Sequence, residues 1–266
     1  MLKDFYVKSD NRIEITTNFH THNYLCGHAG GTVSDYVKQA VACGFDAIGI
    51  SDHCTPPVDI YQQGVSPKTL STLYLPQFDE ANALYGDRIK IFKGVEIEYF
   101  DGFDGYYKNL LSKLDYLVLG QHIFECNGTV KDSYYDDDER SIISYCNSVS
   151  LGIKSGYFAM LAHPDVIFYS HPPLTKKVTS AFESMIKQAA DCDVPLELNA
   201  NGIRYHQFRY PTDILVELCK KYNAKVIISS DCHSPTDLLD DCMRNLYAYA
   251  IHNKLNLVRY PKNISE

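Results

Sequence analysis

Short apolar segments alternate with amphipathic segments along most of the chain. Seven apolar segments predict β-strands, at residues 13–19, 45–51, 89–97, 114–120, 157–163, 194–200 and 224–230. The segments between them repeat apolar residues at helical spacing and predict helices at residues 32–43, 76–85, 106–113, 138–153, 176–191, 213–222 and 237–253. Strands that alternate with helices are typical of an α/β fold with a parallel sheet.

The composition is that of a folded globular protein. Of the 266 residues, 45% are hydrophobic, 22% are charged and 12% are aromatic, so the chain can bury a sizeable core. This length allows one large domain or two small ones. Because no repeat and no Pro/Gly/Ser-rich linker divides the chain, we expect residues 1–266 to form a single domain.

The net charge is −8, from 25 Lys and Arg against 33 Asp and Glu. An acidic chain argues against a nucleic-acid partner, since binding to a phosphate backbone needs a basic face. It does not exclude a small anionic substrate, because bound metal ions can reverse the local charge. No apolar run approaches the ~18–20 residues of a membrane span. Nine cysteines without a CxxC pair, and a beginning without a secretory signal, lead us to expect a cytoplasmic protein with reduced thiols and no membrane partner.

Each predicted strand ends in polar residues, most of which can bind a metal ion. In chain order these residues are His20, His22, Asp52, His53, Glu96, Glu98, His122, His163, Asn199, Asp231 and His233, and His28 lies in a loop after the first pair. In a closed barrel of parallel strands, the carboxyl ends of all strands meet at one face. Solvation of loops would account for one or two histidines at this face, but not for seven of the ten.

The spacing and chemistry of these residues indicate a metal centre. His20 and His22 are two residues apart, as are Asp231 and His233, so each pair can face one side of a strand and bind one ion. Imidazoles combined with carboxylates suit Zn, Mn or Fe, and the scarcity of thiolates argues against a structural zinc finger. Because the set is too large for one ion, we expect two or three divalent transition-metal ions, with a carboxylate such as Glu96 as a bridge.

The motifs that carry these residues resemble those of a known family. FHTH at 19–22 with His28, SDH at 51–53, GVE at 94–96, GQH at 120–122, AHPD at 162–165 and SSDCH at 229–233 are similar to the motifs of the PHP (polymerase and histidinol phosphatase) family. The resemblance covers residues 15–235 and implies a distorted (β/α)7 TIM-like barrel with a trinuclear metal centre. Within the family, the segments YFAMLAHPD and LELNANGIR most resemble stand-alone histidinol-phosphatases.

The resemblance also implies how the metals would be shared. One metal would take His20, His22, Glu96 and Asp231, a second would take Glu96, His122 and His163, and a third would take His28, His53 and His233. Two departures from the family pattern bear on substrate specificity. The first Lys or Arg after Asp165 is Lys176, and segment 123–138 replaces the aromatic-rich loop that typically follows GQH.

Phosphate-ester chemistry follows from this resemblance. Bound metals would hold the phosphate and acidify a water as the nucleophile. We expect Asp231 to move a proton to the leaving alcohol, and Arg204, which matches an arginine of the family, to bind the phosphate. A surface position is the alternative for Arg204. The other predicted substrate-binding residues are Asn199, Glu98 and His206; Glu98 would either hold the amino group of histidinol or be a solvated strand end.

The predicted function is hydrolysis of L-histidinol phosphate to L-histidinol and inorganic phosphate, a step of histidine biosynthesis. One alternative is a PHP phosphoesterase for another small phosphate ester or a nucleotide. A second alternative is a non-catalytic binding or regulatory module, against which the complete ligand set argues. The sequence thus predicts a small phosphorylated substrate as the partner and carries no signal for an oligomeric state.

Overall fold

The strands form one large parallel sheet and one small hairpin. The computed structural model describes Leu2, residues 14–59 and residues 64–265. The strands are β1 (Thr17–Asn18), β2 (Ala47–Ile50), β3 (Lys90–Ile97), β4 (Tyr116–Leu119), β5 (Ile123–Cys126), β6 (Thr129–Asp132), β7 (Met160–Leu161), β8 (Leu196–Asn199), β9 (Lys225–Ser229) and β10 (Asn256–Leu257). Eight of them lie parallel in the order β1-β2-β3-β4-β7-β8-β9-β10, and β5 pairs with β6 in antiparallel orientation. This arrangement confirms the predicted α/β class.

The large sheet curls so that β1 approaches β9. Beyond the ends of these strands, Thr21 and Cys232 form a parallel bridge. The Asp231 N–H donates to the His20 carbonyl at 2.9 Å, and the His22 N–H donates to the Cys232 carbonyl at 3.1 Å. The curl therefore turns the carboxyl ends of the parallel strands toward one common region.

The helices follow the predicted alternation. They are α1 (Val33–Ala42), α2 (Pro67–Thr69), α3 (Leu75–Tyr85), α4 (Asp104–Leu111), α5 (Glu139–Ser155), α6 (Lys176–Asp191), α7 (Asn201–Arg204), α8 (Asp213–Tyr222) and α9 (Asp241–His252). Thr32 and Asp35 form a reciprocal capping box at the start of α1, and Asp138 caps α5. No helix in the described part of the chain combines the length and the apolar character that crossing a membrane requires.

Successive side chains of each strand point to opposite sides of the sheet, so the apolar residues are divided between the two sides. In β4, Leu117 and Leu119 belong to the large core beneath the helices, whereas Tyr116 and Val118 belong to a smaller cluster on the opposite, inner side. The Tyr116 hydroxyl donates to the Phe19 carbonyl at 2.9 Å within this cluster. The inside of the curl is therefore filled with apolar side chains below the strand ends.

A hairpin occupies the segment in which no regular structure was expected. Strands β5 and β6 are joined at Asn127 and Gly128, which have positive φ values of 53° and 73°. An Asn-Gly pair between two short strands is a strong hairpin signal, because both residues tolerate left-handed backbone. The family resemblance marked segment 123–138 only as a departure and did not identify this turn.

Smaller differences concern element boundaries. The helix predicted from residue 237 begins at Asp241, because the Asp240 side chain caps it. The insert expected before residue 76 is helical from Pro67 onward, through a π-helical segment at Leu70–Tyr74. The predicted start of the first strand, residue 13, lies outside the described residues, and α7 and β10 were not predicted.

Candidate metal centre

Seven imidazoles and two carboxylates come together where the strands of the curled sheet end. His20 and His22 follow β1, His53 follows β2, Glu96 lies near the end of β3, His122 follows β4, His163 follows β7, Asp231 and His233 follow β9, and His28 lies in the loop after β1. The ring centroids of His22 and His53 are 4.3 Å apart, and those of His122 and His163 are 5.0 Å apart. Residues that are distant in sequence therefore share one site.

Glu96 lies at the centre of these side chains. Imidazole nitrogens of His163 and His122 approach its Oε1 at 3.0 and 3.5 Å, and those of His53 and His20 approach its Oε2 at 3.1 and 3.3 Å. Neither oxygen receives a hydrogen bond, although both are buried. Burial would raise the pKa of Glu96, but the imidazoles, His122 foremost, lower it well below its usual range. An ionised, buried carboxylate needs positive charge beside it, and a metal ion held between Glu96 and these rings would supply it.

Four groups of side chains bring their ligand atoms within 4.8 Å of one another. These groups are His20-His22-Glu96, His53-Glu96-His122, His22-His53-His233 and His20-His163-Asp231. Their donors are imidazole nitrogens and carboxylate oxygens, which suit divalent transition-metal ions. Glu96 belongs to two of the groups, as a bridging ligand would. Together with the Glu96 oxygens, which are buried and accept no hydrogen bond, this donor set fits bound metal ions.

The grouping differs from the sharing that the family resemblance implies in each of the three sets. Asp231 is grouped with His20 and His163, and not with His22 and Glu96, while His53 takes the expected place of His163 beside Glu96 and His122. The expected third set is His28, His53 and His233, whereas the structure groups His22 with His53 and His233. The exposed His28 ring stacks on His233 with centroids 4.8 Å apart, and its Nδ1 lies 3.2 Å from the Cys26 carbonyl oxygen. His28 therefore borders this group at the mouth of the site.

A cavity of about 560 Å³ opens above the candidate metal ligands. Its floor and sides contain His28, His53, Glu96, His122, Asp231 and His233; the remaining lining residues are Ile123, Asp132, Tyr134, Asn201, Tyr205, His206 and Ser234. The hairpin segment supplies Ile123, Asp132 and Tyr134, so the departure from the family pattern forms one wall. No lysine or arginine of the described residues lines this cavity.

The wall formed by Tyr134 is aromatic. Its ring centroid lies 5.1 Å from that of Tyr169 and 6.0 Å from that of His206, which is one of the predicted substrate-binding residues. Burial lowers the pKa of His206, which favours the neutral form of its ring. His206 therefore presents a flat ring to the cavity.

Asp231 is held by residues on both of its oxygens. Its Oδ1 lies 2.9 Å from His22 Nε2, and its Oδ2 accepts hydrogen bonds from the side-chain amides of Asn199 at 3.0 Å and Asn201 at 3.3 Å. Burial would raise the pKa of Asp231, but His20 and His22 lower it well below its usual range. The two amides thus direct Oδ1 toward the imidazoles.

Arg204 does not reach the cavity. Its Nε donates to the Asp240 carboxylate at 2.6 Å, and its two terminal nitrogens donate to the carbonyls of Ser230 and Asp237, both at 3.0 Å. The side chain is only 8% exposed. The expected contact of Arg204 with phosphate is therefore not present in this arrangement, because the guanidinium is used to hold the backbone on either side of Asp231 and His233.

Carboxylates lie behind three imidazoles of the site. A carboxylate oxygen of Glu197 lies 2.7 Å from Nδ1 of His20. A Glu98 oxygen lies 3.1 Å from Nδ1 of His122, and an Asp52 oxygen lies 3.4 Å from Nδ1 of His22. The Nε2 atoms of the same rings face Glu96. Carboxylates in this position fix the tautomer and the ring orientation of metal-binding histidines.

Two residues expected to bind substrate are thus engaged inside the protein. Glu98 is 4% exposed and contacts His122 instead of lining the cavity. Asn199 donates to Glu197 and Asp231, and its Oδ1 accepts the Asn201 N–H at 2.8 Å. Their positions correct the prediction of direct substrate contact, because burial behind the ligands leaves them no access to the cavity.

Glu197 is, with Asn201, one of the buried residues of the site that the sequence analysis did not identify. It is fully buried in β8 between Leu196 and Leu198, which pack in the core beneath the helices. Its side chain therefore points to the inner side of the sheet. An acidic residue in an otherwise apolar strand that ends at the site was the available signal, since a buried carboxylate needs partners.

The chain is similar in sequence to a known protein family and to proteins named as phosphatases. A family model described as PHP domain matches residues 18–201. The chain is 26% identical over 230 residues to a "Probable phosphatase" of Caldicellulosiruptor saccharolyticus, covering 85% of this chain and 82% of that protein. It is 26% identical over 245 residues to a "Probable histidinol-phosphatase" of Schizosaccharomyces pombe, covering 81% of this chain and 80% of that protein.

A solved structure has a similar fold. It is the histidinol phosphate phosphatase of Lactococcus lactis in complex with zinc, L-histidinol and phosphate, which matches with a TM-score of 0.69. The match covers 93% of this chain and 97% of that one at 15% sequence identity, so the likeness concerns the fold.

Proposed function

This chain belongs to the PHP domain family, and from that premise we propose that it is a metal-dependent phosphomonoesterase that hydrolyses L-histidinol phosphate to L-histidinol and inorganic phosphate. The observation that carries the proposal is Glu96, a buried carboxylate that accepts no hydrogen bond and is surrounded by imidazoles at the floor of an open cavity. Relatives of both the phosphatase and the histidinol-phosphatase kind support it. The curled sheet would be the distorted (β/α)7 barrel of the family, with residues 1–266 as one domain.

We propose two or three divalent transition-metal ions, Mn, Zn or Fe, as the cofactor. The residues that would hold them are the nine predicted ligands: His20, His22, His28, His53, Glu96, His122, His163, Asp231 and His233. When bound, such ions neutralise phosphate and lower the pKa of water enough to supply a nucleophile near neutral pH. A complete donor set below an open cavity supports an enzyme over a regulatory module.

Asp231 is the residue that we assign to proton transfer. Asn199 and Asn201 occupy Oδ2, so Oδ1 is the atom that would receive a proton from the attacking water and pass it to the oxygen of the leaving alcohol. Arg204 has a positioning role in this proposal, since it holds the carbonyls of Ser230 and Asp237. Because the described lining contains no lysine or arginine, the charge of the phosphate would be balanced by the metals and the imidazoles.

The wall opposite the metal centre supports histidinol phosphate over more acidic esters. Asp132 contributes a carboxylate to the cavity, and Tyr134 and His206 contribute flat rings. Histidinol carries an ammonium group and an imidazole ring, which suit a carboxylate and aromatic surfaces. A nucleotide would bring additional negative charge to this wall, where Asp132 would repel it. The nine unpaired thiols suit a reducing compartment, and we therefore propose a cytoplasmic location.

A phosphate-release panel tests the substrate. Metal-replete protein should hydrolyse histidinol phosphate with a higher kcat/KM than sugar phosphates, nucleotides or a neutral aryl phosphate. Far faster hydrolysis of another ester would overturn the substrate and leave a metal-dependent phosphatase. Absence of phosphate release from every ester would overturn the enzymatic function itself.

Asp132→Asn tests the selectivity of the wall. Asparagine keeps the oxygen that accepts the Tyr134 N–H at 2.8 Å, so the local turn should persist. Loss of one partly exposed ion pair costs about 1 kcal/mol, which lowers kcat/KM for histidinol phosphate roughly 5-fold and leaves the neutral aryl ester unchanged. Asp137→Asn, an exposed position of the same segment, is the matched control and should affect neither ester. Equal losses for both esters in Asp132→Asn would contradict the assignment.

A further inference from the structure

The Glu197 carboxylate uses both of its oxygens as hydrogen-bond acceptors. Its Oε1 accepts from His20 Nδ1 at 2.7 Å. Its Oε2 accepts from the His163 backbone N–H and from the Asn199 side-chain amide, both at 2.8 Å. The residue has no exposed surface, so water does not compete for these contacts.

The bond to His20 determines which ring nitrogen can bind a metal. A carboxylate only accepts, so His20 Nδ1 must carry the proton. The unprotonated Nε2 then points into the site, 3.3 Å from Glu96 Oε2 and 3.6 Å from Asp231 Oδ1. Glu197 thereby presents His20 in the tautomer that a metal requires.

The bond to His163 stabilises an unusual backbone conformation. His163 has a φ of 26°, in the left-handed region that non-glycine residues rarely adopt. Its N–H is donated to Glu197, and its Nε2 lies 3.0 Å from Glu96 Oε1. The carboxylate therefore holds the turn that aims this imidazole at the centre of the site.

The third contact extends to Asp231. The Asn199 side-chain amide donates both to Glu197 and, at 3.0 Å, to Asp231 Oδ2. His20, His163 and Asp231 are also the members of one group whose ligand atoms lie within 4.8 Å of one another. We propose that Glu197 is the positioning residue for this group, which arranges its three members around one metal ion without contacting that ion. This inference rests on the metal centre of the proposed function.

Glu197→Gln is a sharp test because an amide cannot reproduce two accepting oxygens. If the NH₂ group of glutamine faced His20, it would force the proton of that ring onto Nε2, the metal-facing atom. If the NH₂ group faced the other side, it would oppose the donors of His163 and Asn199. Either orientation disturbs the group while the volume of the side chain is nearly unchanged.

The experiment measures metal affinity and the histidine tautomer. Zinc affinity is determined by competition with a chelator for wild type, Glu197→Gln and the control Glu217→Gln, whose side chain is 70% exposed. We expect one zinc ion to bind 10- to 100-fold more weakly in Glu197→Gln, with the remaining zinc and the control unchanged. In zinc-loaded wild type, ¹⁵N NMR should place the proton of His20 on Nδ1.

The outcomes separate this inference from the proposed function. Wild type that binds neither zinc nor, in the same competition, Mn or Fe overturns the metal centre and the proposed function with it. Zinc-binding wild type with equal affinities in Glu197→Gln overturns only the role of Glu197. If Glu197→Gln does not fold, the wild-type spectrum decides, because a His20 ring that carries its proton on Nε2 would overturn the inference.

Discussion

Gly120 packs directly against the carboxylate at the centre of the candidate metal site. A methyl group added at Gly120 would lie 2.0 Å from Glu96 Oε1, 2.5 Å from Cδ and 2.6 Å from Cγ. Non-bonded heavy atoms do not approach this closely, so Gly120→Ala requires the carboxylate to move by about 1 Å. The Gly120 backbone is outside the left-handed region, and the added methyl is therefore the whole perturbation.

The expected effect on activity is large and the effect on stability is moderate. Carboxylate–metal bonds are about 2.0–2.2 Å long, so a displacement of about 1 Å breaks them or distorts the centre. Misplacement by this distance costs on the order of 100-fold in rate. Overpacking of a buried position costs about 1–3 kcal/mol of unfolding free energy.

The assay compares Gly120→Ala with Gly105→Ala. Gly105 lies in α4, and a methyl group there would meet no atom within 4 Å. We expect Gly105→Ala to keep wild-type metal content and kcat/KM and to gain about 0.4–1 kcal/mol of stability. Gly120→Ala should lose bound metal by elemental analysis together with phosphate release. If Gly120→Ala retained wild-type metal content and more than half of kcat/KM, Glu96 would not be a metal ligand.

Three further predictions concern the same site. Protein purified without chelator should contain two to three transition-metal ions per chain by elemental analysis; less than one equivalent, not restored by added Mn or Zn, would refute the metal centre. Glu96→Ala and Asp231→Asn should each abolish phosphate release because each removes a proposed ligand, whereas His252→Ala, at the end of α9, should leave kcat unchanged. Near-normal activity of Asp231→Asn would exclude both of its proposed roles. Arg204→Met should lower activity, and it should lower the free energy of unfolding by about 1.5–3 kcal/mol because a charged hydrogen bond is lost. Unchanged stability with a reduced kcat/KM would instead mean that the guanidinium reaches the phosphate.

The α/β class, and the edge of the sheet at which the polar residues gather, can both be predicted from sequence patterns alone. Apolar segments with helices between them predict parallel strands, and the carboxyl ends of such strands lie on one side. That rule depends only on local patterns and connectivity. It therefore predicts that His20, Glu96 and Asp231 lie at one edge, and this prediction needs no information about their contacts. The Asn127-Gly128 turn was equally local and could have been identified from the same sequence.

The contacts that each polar residue makes at that edge depend instead on the three-dimensional arrangement of the strands and loops. Glu96 and Glu98 are two residues apart in one sequence motif, yet Glu96 faces the imidazoles without a hydrogen bond and Glu98 contacts the far side of His122. Arg204 matches the family pattern, but Asp240 and two carbonyls from another part of the chain hold its guanidinium. A carboxylate accepts hydrogen bonds from, and a guanidinium donates them to, whichever partner the fold brings within about 3 Å. Those partners come from strands and loops distant in sequence, so the role of each side chain depends on how the sheet curls.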